Sequence, residues 1–261
     1  MPTVPIGWAT DIAVLEHGGS RVENCGDHLV VSTPRNPTYH RGNCLFVTDP
    51  DAVDDAARWV QAFRDTFPSA GWIAIGLTRM PDDQAAWTEQ GVELELDDVL
   101  ATTSLPLQKA LPAGYTVQQL MGGDWEQVVA RAMAENDRSG EYEPQSHEGF
   151  VRARAQSQRG LTERDVAAFF GAFAGDLLVA ELGIVRCGTT GRYQSVGTDA
   201  EHRERGLASH LLGVAARWAA DHGCNRWVIM TEATNPAGRV YRSLGFEPTT
   251  GNAQAYRRPP R

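Results

Sequence analysis

The residues best suited to chemistry in this 261-residue chain gather in one segment, Gly191 to Ser209. Its pattern predicts a strand over about 192–198, a short loop, and the start of a long helix. The loop reads Arg-Glu-Arg-Gly-Leu-Ala over 203–208. A strand feeding such a loop into a helix presents backbone N–H groups and the positive end of the helix dipole to one point, which suits a phosphate or pyrophosphate. Gly206 and Ala208 allow close approach, and the two guanidiniums add charge and hydrogen-bond donors.

A second feature is Tyr241, which lies on a short predicted helix near the C terminus. Asn235 suits the N-cap of this helix, Pro236 its first position and Gly245 the residue after its end. Helix punctuation explains those three residues but not Tyr241, which lies four residues before Gly245. A phenol with an ordinary pKa of about 10 is a suitable acid for an anionic leaving group.

These features together resemble the GNAT superfamily of acetyl-CoA-dependent N-acetyltransferases. Segment 203–208 matches the family signature Arg/Gln-x-x-Gly-x-Gly/Ala, and segment 231–246 is similar to Asn-x-x-Ala-x-x-x-Tyr-x-x-x-Gly-Phe. In register with the tyrosine, Ala237 falls on the family's alanine, whereas Thr234 falls on its asparagine and Asn235 comes one residue late. The resemblance covers roughly the C-terminal 150 residues in full and the N-terminal part faintly.

The resemblance implies that a primary amine attacks the acetyl carbonyl of acetyl-CoA directly, with Tyr241 as general acid toward the thiol sulfur. Glu181 is the first candidate for the general base and Glu232 the second; each could equally be an ordinary carboxylate, and a water chain could serve instead. The backbone of Val196 and Thr198 is expected along the pantetheine arm. The full set of residues expected to bind the cosubstrate is Val196, Gly197, Thr198, Arg203, Glu204, Arg205, Gly206, Leu207, Ala208, Ser209, Asn235 and Ala237.

The fold class that follows is α/β (α+β): a GNAT fold with a mixed, mostly antiparallel twisted sheet flanked by helices, and a smaller degenerate GNAT-like N-terminal domain. The predicted boundaries are 1–104 for the degenerate domain, 105–113 for a linker rich in proline, and 114–261 for the catalytic domain. The N-terminal half repeats the order strand–helix–strand–helix, with strands predicted over 28–33, 44–48, 72–77 and 92–100, and helices over 53–67, capped by Asp51 or Asp49, and 82–90.

The first half lacks the chemistry of the second. Where the second half has arginines and glycine, the first has the aspartate-rich segment 49–55, whose carboxylates would repel a pyrophosphate. Trp87 stands where Tyr241 stands in the repeat, and an indole has no phenolic proton. The first half is therefore expected to bind no coenzyme A and to serve as a wall, an oligomer surface or part of the acceptor cleft.

The C-terminal half is expected to begin with a strand at 115–120, helices at 124–135 and 148–158, and a hairpin over 166–186 that turns at Gly175-Asp176. Between the helices lies a polar segment, 136–147. In the family this region usually lines the acceptor site, so it could hold an ammonium group; a merely solvated loop is the alternative. Its candidate residues are Glu141, Tyr142, Glu143 and His147.

The composition of the chain limits the kinds of binding partner that are expected. The net charge of −9 disfavours nucleic acid. No apolar run is long enough to span a membrane and the first residues do not resemble a signal peptide, so a cytoplasmic protein, of a GC-rich bacterium by its arginine and alanine content, is expected. The four cysteines are scattered, which favours reduced thiols and no metal site.

The expected partner is a small-molecule amine, and a homodimer is an option in this family. The alternatives are a non-catalytic acyl-CoA-binding or regulatory protein, and a tandem-GNAT synthase of the mycothiol-synthase type.

Overall fold

The computed structural model describes residues 4–259, which divide by their internal contacts into two compact units. Unit 1 contains the described residues up to Val99, the segment Met230–Gly238, and the described residues from Pro248 onward. Unit 2 contains Leu100–Ile229 and Arg239–Glu247. Each unit is built from a sheet with helices packed on it.

The bounds of the elements follow. The helices are α1 (Ile6–His17), α2 (Ala56–Thr66), α3 (Gln84–Glu89), α4 (Asp124–Ser139), α5 (Pro144–Glu163), α6 (Leu207–Asp221) and α7 (Ala237–Ser243). The strands are β1 (Arg21–Asn24), β2 (His28–Ser32), β3 (Cys44–Val47), β4 (Ile73–Leu77), β5 (Glu93–Thr102), β6 (Thr116–Gln119), β7 (Ala167–Ala174), β8 (Leu177–Cys187), β9 (Thr190–Thr198), β10 (Arg226–Glu232), β11 (Glu247–Pro248) and β12 (Asn252–Arg257).

In unit 1, β1, β2 and β3 form an antiparallel meander, and β3 then pairs in parallel with β4. Helix α2 makes this parallel crossover possible and buries Trp59, Val60 and Phe63 against the sheet. The predicted cap for this helix was wrong. Asp49 caps a 3₁₀ turn that precedes the helix, and the side chain of Asp55 caps α2 itself by accepting from Arg58 N.

The last strand of the chain lies between β4 and β5 and is antiparallel to both. Its residues Asn252–Tyr256 are paired on one side with β5, and Ala253–Arg257 on the other side with β4. The contact-based units are therefore not contiguous in sequence, whereas the predicted division assigned this stretch, within 114–261, to the C-terminal domain.

In unit 2, β6, β7, β8 and β9 pair antiparallel in sequence order, and β9 pairs in parallel with β10 across helix α6. The long strands β7 and β8 are buried on both faces, with α5 and α6 among the helices that pack on them. Both units thus share an antiparallel meander followed by one parallel crossover. The predicted fold class, a mostly antiparallel GNAT-type sheet flanked by helices with a second GNAT-like half, is confirmed.

The segment predicted as a polar loop, 136–147, is helical at both ends. Helix α4 continues to Ser139 and α5 begins at Pro144, so that only Gly140–Glu143 connects them. The buried side chain of Asn136 binds both the N–H and the C=O of Tyr142 and closes this short turn. A glutamate followed by proline, which is favoured at the first helical position, was the available sequence signal for the earlier helix start.

The segment predicted as a linker, 105–113, packs against helix α6. A Cβ atom added to Gly213 of that helix would lie 2.3 Å from Gln108 Cβ and 2.6 Å from Gln108 Cα. His210, one turn earlier, bonds through Nδ1 to the carbonyl oxygen of Lys109 at 2.7 Å. This part of the chain is consequently held on the surface of unit 2.

Candidate functional site

Strand β9 carries a β-bulge directly opposite Leu182. Gly197 pairs with Glu181 and Gln194 with Gly183, so that two residues, Ser195 and Val196, oppose a single residue of β8. Ser195 adopts a left-handed conformation, with φ +52°. Its hydroxyl accepts a hydrogen bond from Gln158 of α5 at 2.9 Å. The bulge turns backbone groups of β9 out of the ladder, which bulges near functional sites commonly do.

The parallel pairing of β9 with β10 runs from Thr190 with Arg226 to Arg192 with Val228. Beyond Arg192, β9 remains in register with β8 as far as Thr198. The bulged segment therefore lies in the part of β9 beyond its register with β10.

Tyr241 lies near Arg192, the last residue of that register. Its side chain is 5% exposed and its ring meets Phe246 edge-on, with the ring centroids 6.5 Å apart. Burial raises the pKa of the Tyr241 phenol to about 12, against an opposing effect of the positive charge on Arg192. The phenol is consequently protonated throughout the physiological range.

After β9 the chain makes a 3₁₀ turn at Ala200–His202 and enters α6 through two residues with positive φ, Glu204 at +61° and Gly206 at +83°. No side chain caps the start of α6. The first N–H groups of this helix are therefore open to an anion, and the helix dipole favours one there. In unit 1 the equivalent helix start is closed by its own carboxylate, Asp55.

The two arginines of this loop are engaged with the protein. Arg203 Nε donates to the Thr198 carbonyl at 3.1 Å, and Arg205 donates to the Tyr115 hydroxyl and the Glu201 carbonyl, both at 3.1 Å. These hydrogen bonds tie the loop to the end of β9, to the 3₁₀ turn and to Tyr115. Among the other predicted cosubstrate residues of the loop, the side chains of Leu207 and Ser209 are buried, so these two offer only backbone groups.

A cavity of about 370 Å³ lies in unit 2 beside the bulge. Residues 195–198 of β9 line it together with Glu181 of β8, and side chains of α4 and α5 complete it. The Glu181 side chain is 11% exposed and forms an ion pair with Arg131 of α4, with Oε2 and Nη1 3.4 Å apart. Burial raises the pKa of the Glu181 carboxyl, and the positive charges of Arg131 and Arg154 oppose that rise.

The residues predicted to meet an acceptor divide into two groups. Glu141, Tyr142 and His147 line the cavity, and the His147 ring stacks on Tyr142 with centroids 5.0 Å apart and planes at 4°. Burial, with help from Arg154, lowers the pKa of His147 and favours its neutral form. Glu143 does not line the cavity; its carboxylate caps α5 by accepting from the N–H groups of Gln145 and Ser146.

The remaining predicted site residues belong to unit 1. Glu232, the second candidate base, is exposed at the end of β10, where its charge contributes to raising the pKa of Asp97. Asn235 Oδ1 accepts from Ala237 N at 3.0 Å, the capping contact that the sequence predicted. The structure thus brings together Glu181, Val196, Gly197, Thr198 and Arg203 around one cavity.

Sequence reasoning missed the two arginines that α4 and α5 turn toward this cavity, Arg131 and Arg154. Arg131 follows Val128 by three positions on the buried face of α4, and Arg154 follows Val151 by three positions on that of α5. An arginine on the apolar face of an amphipathic helix was the signal that could have identified both.

Within residues 4–259, no group of three or more His, Cys, Asp and Glu side chains could hold a metal ion. Over the same range, no helix combines the length and the apolar character needed to cross a membrane.

Comparison with known proteins agrees with these motifs. Residues 130–246 match the family model described as the acetyltransferase (GNAT) family. No curated protein matches the sequence.

Similar solved structures cover nearly the whole chain. A GCN5-related N-acetyltransferase from Kribbella flavida superposes with a TM-score of 0.66 at 17% identity, covering 99% of this chain and 98% of that one. A putative acetyltransferase of the GNAT family from Novosphingobium aromaticivorans gives a TM-score of 0.57 at 20% identity, with 98% and 97% covered. A tandem GNAT protein from the clavulanic acid biosynthesis pathway gives 0.57 at 14%, with 95% and 88% covered. Identities this low establish a shared fold and nothing beyond it.

Proposed function

We propose that this chain is an N-acetyltransferase that moves the acetyl group of acetyl-CoA to the primary amine of a small molecule by direct attack. The observation that carries the proposal is the cavity in which a buried carboxylate, Glu181, faces the bulged segment 195–198 of β9. A base and a set of backbone donors turned out of a ladder are what acyl transfer to an amine requires. The volume of about 370 Å³ suits a small-molecule acceptor.

Glu181 is the proposed general base. An attacking amine must lose a proton, and a base is most effective when its pKa lies near the working pH. Burial raises the pKa of this carboxyl, while the ion pair with Arg131 keeps a positive charge beside it. Exposed Glu232, the second candidate, has no comparable environment.

Tyr241 is the proposed general acid. With its pKa raised to about 12, the phenol keeps its proton at every working pH and can donate a hydrogen bond to a developing thiolate. In the described part of the chain no hydrogen bond to the Tyr241 hydroxyl is formed, so the donor is uncommitted. Its position near Arg192 supports this role because the bulged segment of β9 follows a few residues later.

The residues at the start of α6 would hold the pyrophosphate of acetyl-CoA. The uncapped N–H groups after Gly206 suit an anion, and a Cβ added at Gly206 would meet nothing within 4 Å, so the approach to the backbone is open. Acetyl-CoA supplies the activated acetyl thioester, and the backbone of Val196, Gly197 and Thr198 is proposed to orient it. Binding through these groups catalyses by positioning.

The first half is proposed to bind no coenzyme A. Carboxylates occupy the starts of two of its helices, since Asp55 caps α2 and Asp83 caps α3. Trp87 is fully buried, and its indole N–H is committed to the Val53 carbonyl at 3.1 Å. We retain the predicted division of function between residues 1–104 and 114–261, with the reaction assigned to the latter.

Calorimetric titration of the whole chain with acetyl-CoA tests the proposal. One site per chain is expected for the wild type, and loss of affinity is expected for the double variant Arg203→Ala, Gly206→Glu, which places a carboxylate at the helix start. No binding by the wild type would contradict the cosubstrate assignment. Two sites would contradict the inactive first half and favour a tandem synthase. Binding without CoA release on addition of any amine would favour the non-catalytic acyl-CoA-binding alternative.

A further inference from the structure

Arg154 is a cationic side chain of the cavity that forms no ion pair among the described residues. Among the described residues, none of the acidic groups lies within 4 Å of its guanidinium. The neighbouring arginines of α5 differ: Arg152 pairs with Glu148 and Glu126, and Arg159 pairs with Glu163.

The surroundings of Arg154 orient it toward the interior of the cavity. Its guanidinium carbon lies 5.5 Å from the centroid of the Phe150 ring, a cation–π contact that restrains the side chain. Its charge reaches two other ionisable groups that line the cavity, since it lowers the pKa of Glu181 and that of His147. His147 is favoured in the neutral form and does not compete for an anion.

The other cationic side chains of the cavity have carboxylate partners. Arg131 is bound to both Glu181 and Asp199, with distances of 3.4 and 2.9 Å. Glu135 is bound to Arg138 at 2.5 Å and lies 3.8 Å from Arg203. The positive charge left for an incoming anion is therefore that of Arg154.

Guanidinium groups recognise carboxylates with two parallel hydrogen bonds, which makes a planar carboxylate the anion that best suits Arg154. A cavity of about 370 Å³ sets the base Glu181 and the cation Arg154 within the span of one small molecule. We propose that the acceptor is a small amino acid, whose amine is directed to Glu181 and whose carboxylate binds Arg154. This inference names the substrate class of the proposed acetyltransferase and rests on that function.

A panel of matched acceptors tests it. Each amino acid is paired with the amine that differs from it only in lacking the carboxylate, and CoA thiol release is measured with acetyl-CoA on the intact chain. For the wild type, kcat/KM should favour the amino acid over its amine by about 10- to 100-fold, the usual effect of a charged hydrogen-bonded contact.

Variants on one helix separate recognition from general charge effects. Arg154→Gln should lower the ratio of kcat/KM, amino acid over amine, by about 10- to 100-fold, mainly through KM, and Arg154→Lys should lower it less because charge remains without the planar fork. Arg152→Gln removes the same charge from an exposed position of the same helix and should leave the ratio unchanged.

The outcomes distinguish a failure of the amino-acid assignment from a failure of the proposed acetyltransferase function. Equal kcat/KM for both members of each pair, or the same ratio for the variants at 154 and 152, would overturn the carboxylate assignment and leave the acetyltransferase intact. CoA release with carboxylate-free amines alone would do the same. A wild type that fails to bind acetyl-CoA in calorimetry would overturn the proposed function and this inference with it.

Discussion

The guanidinium of Arg131 and the carboxylate of Glu181 face each other with Nη1 and Oε2 3.4 Å apart, and both atoms are buried. Neither atom has a hydrogen-bond partner within residues 4–259. Arg131 is anchored on its other side by Asp199, whose Oδ1 accepts from Nε at 2.9 Å. Two opposing effects thus act on the buried carboxylate. Desolvation favours its neutral acid form, and the fixed cation Arg131 favours its anion.

This pair predicts the acidic limb of the pH–rate profile. A base acts in its deprotonated form, so kcat/KM should rise with pH through the pKa of Glu181, at a pH above the ordinary value of the carboxyl group because burial raises that pKa. Glu181→Gln should remove the limb and lower kcat/KM by about 10²- to 10⁴-fold, the usual contribution of a general base. Retention of the limb in this variant would exclude Glu181 as the base.

The position of the limb should depend on Arg131. Arg131→Gln removes the cation that stabilises the Glu181 anion, so the pKa of that carboxyl should rise further and the limb should move to higher pH. Arg138→Gln is the matched control, because it removes an exposed arginine of the same helix that pairs with Glu135. The pH profile of CoA release should be shifted by the first substitution and unshifted by the second; equal profiles would contradict the coupling.

Tyr241→Phe separates catalysis from stability. As loss of a general acid it should lower kcat by about 10²- to 10⁴-fold. Because the hydroxyl has no hydrogen-bond partner among the described residues, the free energy of unfolding should change little. The wild-type profile should also show no alkaline limb from this group below its pKa of about 12.

Tyr193→Phe is the control for that substitution. The Tyr193 hydroxyl is buried and donates to the Leu212 carbonyl at 2.8 Å, so its removal should cost about 0.5–1.5 kcal/mol of unfolding free energy in urea titration. Tyr241→Phe should lower kcat and leave the free energy of unfolding nearly unchanged. Tyr193→Phe should show the opposite pattern. A Tyr241→Phe variant that loses stability but keeps kcat would contradict the general-acid role.

Two glycines at opposite ends of α6 test the anion site. Gly206 precedes the helix with φ +83° and Gly223 follows it with φ +88°, and a Cβ at either would meet nothing within 4 Å. Alanine at either position should therefore cost a similar amount of stability, about 1–2 kcal/mol for a left-handed non-glycine residue. Only Gly206→Ala should also weaken acetyl-CoA binding in calorimetry. Equal affinities in the two variants would indicate that the start of α6 does not hold the pyrophosphate.

Local patterns in the sequence were sufficient to predict the central strands and helices. The strand at 190–198, the helix from Leu207 and the buried hairpin β7–β8 all follow from residue periodicity and from Gly175-Asp176 at the turn. The positions of Glu181 and of the segment 196–198 around one cavity depend on strand register, which the fold family implied.

Structural features that depend on residues far away in the sequence could not be predicted from local sequence patterns. Strand β12 is short and acquires its role only between β4 and β5, far away in sequence. Helix α1 was missed because its residues show no amphipathic period, yet it buries Trp8 and Ile12. The bulge at Ser195 carries no glycine to mark its positive φ; it is held by Gln158, a residue of another helix.

The contact between Gly213 and Gln108 gives a last test, of the segment that the sequence assigned to a linker. Alanine replacing glycine inside a helix usually stabilises a protein by roughly 0.5–1 kcal/mol. At Gly213 the new Cβ would lie 2.6 Å from the Gln108 backbone, so overpacking, typically costing about 1–3 kcal/mol, should dominate and Gly213→Ala should destabilise. Gly160→Ala on α5, where the nearest atom is the end of Arg164 at 3.8 Å, should show the stabilising effect alone. Urea unfolding of both variants should give changes of opposite sign, and stabilisation by both would contradict the docking of residues 105–113 on α6.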